Sequence, residues 1–401
     1  MLNHLSQYKG LFKYATFKGV EVVLTSSITL ILAKKIGPNQ YGLLLPILLY
    51  ITYANYISFG VNQVVVKNYS RIKQTTSIES FLGSNLKILF FTFVINIFLT
   101  TYIFHFRQNI IIASISTLII LRGFFSSYFR AVDRIYILNY VNISYSVLLL
   151  GLVFIWGNTI TNYLNFWALS IFVACIIYFL YDRAVFQLIF INALFKFNSQ
   201  EIRRSLLEGV KLGLTGILTT ILLTYDRLII NSLNINPDVK GSYQLADNFG
   251  TAFYIVFTTI IFFYYPRWIE KLRENPEFRI TFTQNIKKVV AFIPFVLMIS
   301  FFLAKVINSL IFPEFIELEI YITLSIFIKC CTVSTALTSI LYISKDKEKK
   351  YLKRAFILIL PIFLIIYLLS SKMPIWLIPI ITGSTVLSFT FLSLEKSKSL
   401  L

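Results

Sequence analysis

The sequence predicts an all-α integral membrane protein of about twelve transmembrane helices, arranged as two six-helix lobes with pseudo-two-fold symmetry. Three observations carry this. Hydrophobic residues make up 57% of the 401 positions and the mean hydropathy is +0.75, well above the composition of soluble domains. Apolar runs of about 18 residues or more, each long enough to cross a bilayer, recur from end to end. Finally, the passage AKKIGPNQYG at 33–42 is echoed about two hundred residues on by NINPDVKGSY at 234–243. Both link two apolar runs with Pro early and Gly and Tyr late, which is turn chemistry used twice.

Taken in order, the apolar runs place helices near 11–34, 43–66, 82–104, 108–129, 136–156, 163–182, 206–232, 243–265, 287–311, 318–343, 353–371 and 374–394. The polar, basic start MLNHLSQYKGLFK lacks a cleavable signal pattern, so the first span is expected to act as the insertion signal. The last two spans are the weakest, since Pro361, Pro374 and Pro379 interrupt them. The longest loops are expected at 183–205 and 266–283. The first is the natural connector between an N-terminal lobe, 1–182, and a C-terminal lobe, 206–401. An even number of helices per lobe means that both enter the membrane in the same direction, related by an axis along the membrane normal.

Orientation follows from the basic residues. With the N-terminus inside, cytoplasmic segments collect 24 Lys and Arg, among them Lys67, Arg130, Arg203, Arg204 and Lys350, and the outer loops hold 5: Lys34, Lys35, Arg107, Lys240 and Lys372. Both termini are therefore expected in the cytoplasm. The net charge of +19 is scattered through short loops, so it points to the membrane surface and not to nucleic acid. Cys175, Cys330 and Cys331 lie inside apolar runs, spaced as neither a disulfide framework nor a zinc site, and read as packing residues.

Ionisable residues within spans are costly and are functional candidates for that reason. Of 37 basic residues, eight are left inside helices: Lys13, Lys18, Lys87, Arg122, Lys211, Arg227, Lys305 and Lys329. The acids there are Glu21, Glu208, Asp226 and Asp247. An interior with this surplus of positive charge suits an anionic substrate. Lys18 and Glu21, three apart, read either as a neutralising pair or as a phosphate-meeting lysine tuned by its neighbour. Lys13 and Lys87 lie near helix ends and are expected to snorkel, as is Lys305 unless it serves an outer gate.

Arg122 stands about eight residues, roughly 12 Å, from the end of its helix, where a guanidinium can grip phosphate oxygens bidentately or hold a neighbouring helix. Glu208 and Lys211 echo the Lys18–Glu21 spacing. Asp226 and Arg227, adjacent and about 100° apart around a helix, are expected to face different partners, one of them a cavity. Asp247 could pair with Arg227 or carry a proton. Lys329, central in its helix with no acid within a turn, needs a polar cavity, a partner on another helix or loss of its proton. Two histidines, His4 and His105, leave no His-based metal cluster or triad, and no Gly-rich nucleotide loop occurs.

Leu32–Gly42, the segment Phe59-Gly60-Val61-Asn62-Gln63, and the stretch from Asp226-Arg227 through Lys240-Gly241-Ser242-Tyr243-Gln244-Leu245-Ala246 resemble the Wzx-type polysaccharide-export flippases. These belong to the multidrug/oligosaccharidyl-lipid/polysaccharide (MOP) superfamily, and helix number, length and inside termini agree along the whole chain. The resemblance implies a MATE-like fold with two lobes that alternate between inward and outward openings. It also implies a substrate of undecaprenyl pyrophosphate carrying an oligosaccharide, moved from the cytoplasmic to the outer leaflet of the inner membrane for O-antigen (lipopolysaccharide), capsule or a related glycan.

Such a protein is no enzyme and needs no cofactor or metal. Its partners would be its lipid-linked substrate, membrane lipids, and a polysaccharide polymerase and chain-length regulator. By position, Arg122, Lys329, Lys18, Lys211 and Arg227 are the candidate pyrophosphate cations, and Glu21, Asp226 and Asp247 the coupling or pairing carboxylates. Two competing readings are a drug or small-cation exporter of the same superfamily, which would want unpaired acids, and a membrane glycan polymerase or ligase, which would want a large outer loop.

Overall fold

The structure is a computed structural model that describes residues 2–72, 78–104, 106–195, 199–345 and 347–398. Lys73, His105 and Lys196 lie outside the described residues, as do the side chains of His4, Lys9, Lys13, Arg71, Arg107, Arg267, Lys396 and Lys398. Every regular element among those described is a helix. That is the outcome a bilayer imposes on a single chain without a closed barrel, because each backbone amide must find its partner within its own segment.

Among the described residues, ten helical stretches are long and apolar enough to cross a membrane. α1, Leu2–Leu43, is bent where Gly37 takes a non-helical φ of 73° just ahead of Pro38. The expected second span, 43–66, is broken instead of continuous. α2 (Leu45–Ala54) runs into a 3-10 turn at Asn55–Ser58, Phe59 and Gly60 turn left-handed (φ 49° and 69°), and α3 (Val61–Ile72) restarts the chain. Hydropathy alone does not register such a break, since Phe59 is itself apolar. α4 (Ile78–Ile103), α5 (Phe106–Ala131), α6 (Ile135–Trp156) and α7 (Ile160–Tyr181) follow as expected.

The two segments expected as long loops are helical. α8, Arg183–Phe195, is an apolar helix too short to span that packs on α4, and α9, Ser199–Ser232, begins inside the expected connector. α10 (Pro237–Glu274) and α11 (Pro276–Ala291) leave a single residue, Asn275, between them. Its N–H closes α10 on the Lys271 carbonyl, and its side chain accepts from the Phe278 N–H at 3.0 Å, capping α11. Asn at the cap with Pro next and Glu277 in the first turn is a start signal for a new helix. The chain ends with α12 (Ile293–Ile311), α13 (Leu318–Ile343), α14 (Glu348–Leu369), a short 3-10 turn and α15 (Leu377–Lys398).

Two compact units result. One comprises Val23–Lys35 and Pro46–Thr220, the other Met1–Val22, Ile36–Leu45 and Ile221–Leu401. In the first, α5 packs against α3, α4, α6 and α7 over an aromatic core. Phe125 meets Phe186 edge-on at 4.8 Å, Tyr128 meets Phe186 at 5.0 Å and Phe129 stacks on Tyr178 at 5.5 Å. Each such pair contributes about 0.5–1.5 kcal/mol beyond area burial. In the second unit α13, the most buried of the spanning helices, is enclosed by α10, α12 and α15. Large side chains such as Phe98, Tyr102 and Leu310 point outward, as a lipid-facing surface requires.

The repeated turn passages meet each other. A Cβ on Gly42 would collide with the Pro237 carbonyl, and one on Gly241 with the Pro38 carbonyl. The contact is reciprocal: Pro38 and Gly42 of one copy face Gly241 and Pro237 of the other, as two elements related by a two-fold axis do. A second backbone crossing joins Gly60 and Gly209, each without room for a Cβ against the other's strand of backbone.

Candidate functional site

The charged residues of the spans gather in two places of opposite character. The first is where α9, α10 and α13 meet. Asp247 on α10 receives Lys329 from α13, whose Nζ donates to Oδ1 at 2.7 Å, and Arg227 from α9, whose Nη1 lies 2.9 Å from Oδ2. Lys329 also donates to the Leu223 carbonyl at 2.9 Å, and Thr251 donates to Asp247 Oδ2 at 3.3 Å. One turn earlier on α10, the Tyr243 hydroxyl donates to Asp226 Oδ2. Asp226, Asp247 and Lys329 are at most 2% exposed and Arg227 8%, so two acids and two bases are buried together.

The expectation that Asp226 and Arg227 divide between a cavity and a neighbour is therefore corrected. Both go to α10, because Tyr243 and Asp247 stand one turn apart and together cover the angle between adjacent α9 residues. Burial without pairing would cost several kcal/mol per charge. The contacts to Asp247 offset part of that cost, while Asp226 Oδ1 and Arg227 Nε are buried without a hydrogen-bond partner among the described residues. Lys329 has a partner on another helix and makes no lone contact with a cavity. Its surroundings are tight: a Cβ on Gly250 of α10 would strike Ser325 of α13.

The second place is open. Lys67 of α3 and Gln200, Arg203, Arg204, Leu207, Glu208 and Lys211 of α9 line a cavity of about 530 Å³. Glu208 is held by α3, accepting from Lys67 Nζ and Asn68 Nδ2, each at 2.8 Å. A neighbouring cavity of about 510 Å³ shares Lys67 and is lined by Asn62, Gln63, Ser126, Ser127 and Arg130 among others. Lys67, Arg203, Arg204 and Lys211 are exposed. Sequence reasoning found Lys211 here but counted Lys67, Arg203 and Arg204 only as loop charge. The i, i+3, i+4, i+7, i+8, i+11 spacing of 200, 203, 204, 207, 208 and 211 was the available signal for one shared face.

The remaining candidates belong to neither set of residues. Arg122 of α5 donates from Nη2 to Asn142 Oδ1 of α6 at 2.7 Å and lies 4.3 Å over the Tyr145 ring. These partners are neutral, so they orient the guanidinium without cancelling its charge. Lys18 and Glu21 of α1 pair at 3.0 Å, both half-buried. Lys305 is exposed. The three cysteines are free and buried, and among the described residues no group of His, Cys, Asp and Glu could hold a metal.

This architecture has known counterparts. A multidrug-resistance MATE transporter of the MOP superfamily, solved facing outward, is similar over 98% of this chain and 95% of its own at 13% identity and a TM-score of 0.62. A MOP superfamily transporter from Pyrococcus furiosus, described by a binding pocket of reversed polarity, is similar over 98% and 95% at 12% identity and 0.59. The eukaryotic MATE transporter AtDTX14 is similar over 98% and 99% at 13% identity and 0.56. Comparison with curated protein sequences returns no match. The fold is thus that of the MATE transporters, in a multi-pass membrane protein. Residues 9–271 match the family described as polysaccharide biosynthesis protein, and the chain belongs to that family.

Proposed function

We propose that the protein is a flippase that carries an oligosaccharide linked to undecaprenyl pyrophosphate from the cytoplasmic to the outer leaflet by alternating access, serving O-antigen, capsule or a related glycan. The observation that carries this reading is membership of a polysaccharide biosynthesis family on a transporter fold. In this reading both termini are cytoplasmic and the six-helix halves 1–182 and 206–401, joined through 183–205, are the parts that alternate. With the cell interior negative, an anionic headgroup gains about 2.3 kcal/mol per charge per 100 mV on moving outward.

Charge separates this reading from export of a cationic drug. Asp247 is already engaged by Lys329 and Arg227, and Asp226 by Tyr243, whereas Arg122 keeps its charge against neutral partners. Exchange of a proton or sodium ion at Glu21, Asp226 or Asp247 would first have to open these contacts. The test is translocation of a lipid-linked oligosaccharide in proteoliposomes. The parent protein moves it, and Arg122→Ala, shown to be folded and inserted, moves it at least about tenfold more slowly, the equivalent of one lost charge-assisted contact. A folded parent that moves no such lipid but exports organic cations overturns the reading.

A further inference from the structure

The groove between α3 and α9 is more than a solvated basic face. Its cations come from two helices and converge on a concavity: Arg203, Arg204 and Lys211 along one face of α9, and Lys67 facing them from α3. The carboxylate among them, Glu208, accepts from Lys67 and Asn68. It is thereby aimed at α3, and the lining as a whole keeps a surplus of positive charge. The Gly60–Gly209 crossing holds the two backbones in direct contact one residue beyond Glu208, which fixes the width of the groove. Beyond Lys67 the lining changes character. Asn62, Gln63, Ser126 and Ser127 supply neutral amide and hydroxyl groups, with Arg130 also in the lining.

Cations followed by neutral hydrogen-bonding groups suit a ligand built the same way, a phosphate attached to a hydroxylated head. Arginine and lysine together can clamp phosphate oxygens by bidentate and point-charge contacts, while amides and hydroxyls match sugar or glycerol hydroxyls. We propose that this groove binds the phosphate-bearing headgroup of a membrane lipid, with Arg203, Arg204 and Lys211 on the phosphate and Asn62, Gln63, Ser126 and Ser127 on the adjoining hydroxylated portion. The proposal concerns binding and holds whether or not the bound lipid is afterwards moved.

The test uses the full-length protein in phosphatidylcholine nanodiscs, with binding of undecaprenyl pyrophosphate, of phosphatidylglycerol and of inorganic pyrophosphate measured in parallel. Arg204→Glu and Lys211→Glu, both at exposed positions, are expected to retain the parent's melting temperature and to weaken binding at least about tenfold each, while Lys350→Ala, in a basic segment of the other compact unit, binds as the parent does. Selective loss of undecaprenyl pyrophosphate binding identifies the polyprenyl lipid as the occupant. Loss of phosphatidylglycerol binding alone identifies a bulk anionic lipid, and competition by inorganic pyrophosphate that both charge reversals weaken places recognition on the phosphate. Each of these supports the groove as a phosphate site. Binding of all three that is indifferent to both charge reversals overturns it, and that result is independent of any translocation assay.

Discussion

The two ends of α9 handle charge in opposite ways. Near its start Arg203, Arg204 and Lys211 stand exposed around an open groove; near its end Asp226 and Arg227 are buried and spent on α10. The same residue types are ligands-in-waiting in one place and structural glue in the other. What separates them is access to water. A buried charge survives only when paired, so the groups most deeply placed by sequence depth are the ones the fold consumes first. Depth in a span is therefore a guide to pairing, and exposure on a concave face is what leaves a charge open to a ligand.

The sharpest way to break this contrast is Asp247→Asn. Removing the carboxylate strands Lys329 and Arg227 in a site that excludes water, and losing one partner of a buried pair costs about 3–5 kcal/mol. Thermal denaturation in detergent should show the largest drop of any single substitution considered for this protein. Replacing the whole set by apolar side chains, Asp226→Leu, Arg227→Leu, Asp247→Leu and Lys329→Met together with Tyr243→Phe, should recover most of it, since apolar replacement of a complete buried ion set is close to neutral. A single mutant as stable as the parent would show that the cluster is hydrated and the contrast with the groove false.

Much of the fold was legible in the sequence. The apolar runs located α13 at both ends, α5 to α7 within about three residues and α4 within about four, because a span must be both long and continuously apolar. The run 287–311, by contrast, began inside α11 and matched α12 only at its end. What was not legible were events that leave hydropathy unchanged. The left-handed pair Phe59-Gly60 breaks a span without adding a polar residue, and Asn275 joins α10 to α11 where composition suggested a loop. The candidate site was legible in part: Asp226, Arg227, Asp247 and Lys329 were singled out as costly, but which of them meet depends on helix contacts. Tyr243, which donates to one oxygen of Asp226, stood out only as the Tyr of the repeated passage, since an uncharged side chain in a span carries no cost that marks it as a partner. The groove was missed because its cations were spread over two segments 130 residues and more apart, 67 and 203–211.

A smaller effect is expected where backbone, and not charge, is at stake. Gly42 and Gly241 let the repeated passages touch, and Tyr41 beside Gly42 accepts from Asn248 on α10. Gly241→Ala inserts a methyl against the Pro38 carbonyl and should cost about 1–3 kcal/mol, the usual penalty of overpacking. The matching Gly42→Ala should cost a similar amount, because the contact is reciprocal. Adding the second substitution to the first should then cost less than the two singles summed, since the crossing is already open. Full additivity in the double mutant would argue that the two glycines act separately and that the two-fold relation at this contact has no energetic content.

The smallest effect tests the middle ground between the buried cluster and the open groove. Lys18 and Glu21 pair at 3.0 Å while side-chain exposures of 32% and 19% keep both in reach of water or headgroups. An ion pair of that kind contributes about 0–1 kcal/mol. Glu21→Gln should therefore lower the melting temperature by little, and the shift should shrink further at high salt, because exposed pairs are screened over a Debye length of roughly 8–10 Å at moderate ionic strength. If the proposed function holds and Lys18 meets an anionic headgroup, Glu21→Gln frees it, and binding of a lipid-linked pyrophosphate should tighten while stability hardly moves. A large loss of stability would instead put this pair with Asp247 and Lys329, as part of the framework of α1, and remove Lys18 from the cations available to a substrate.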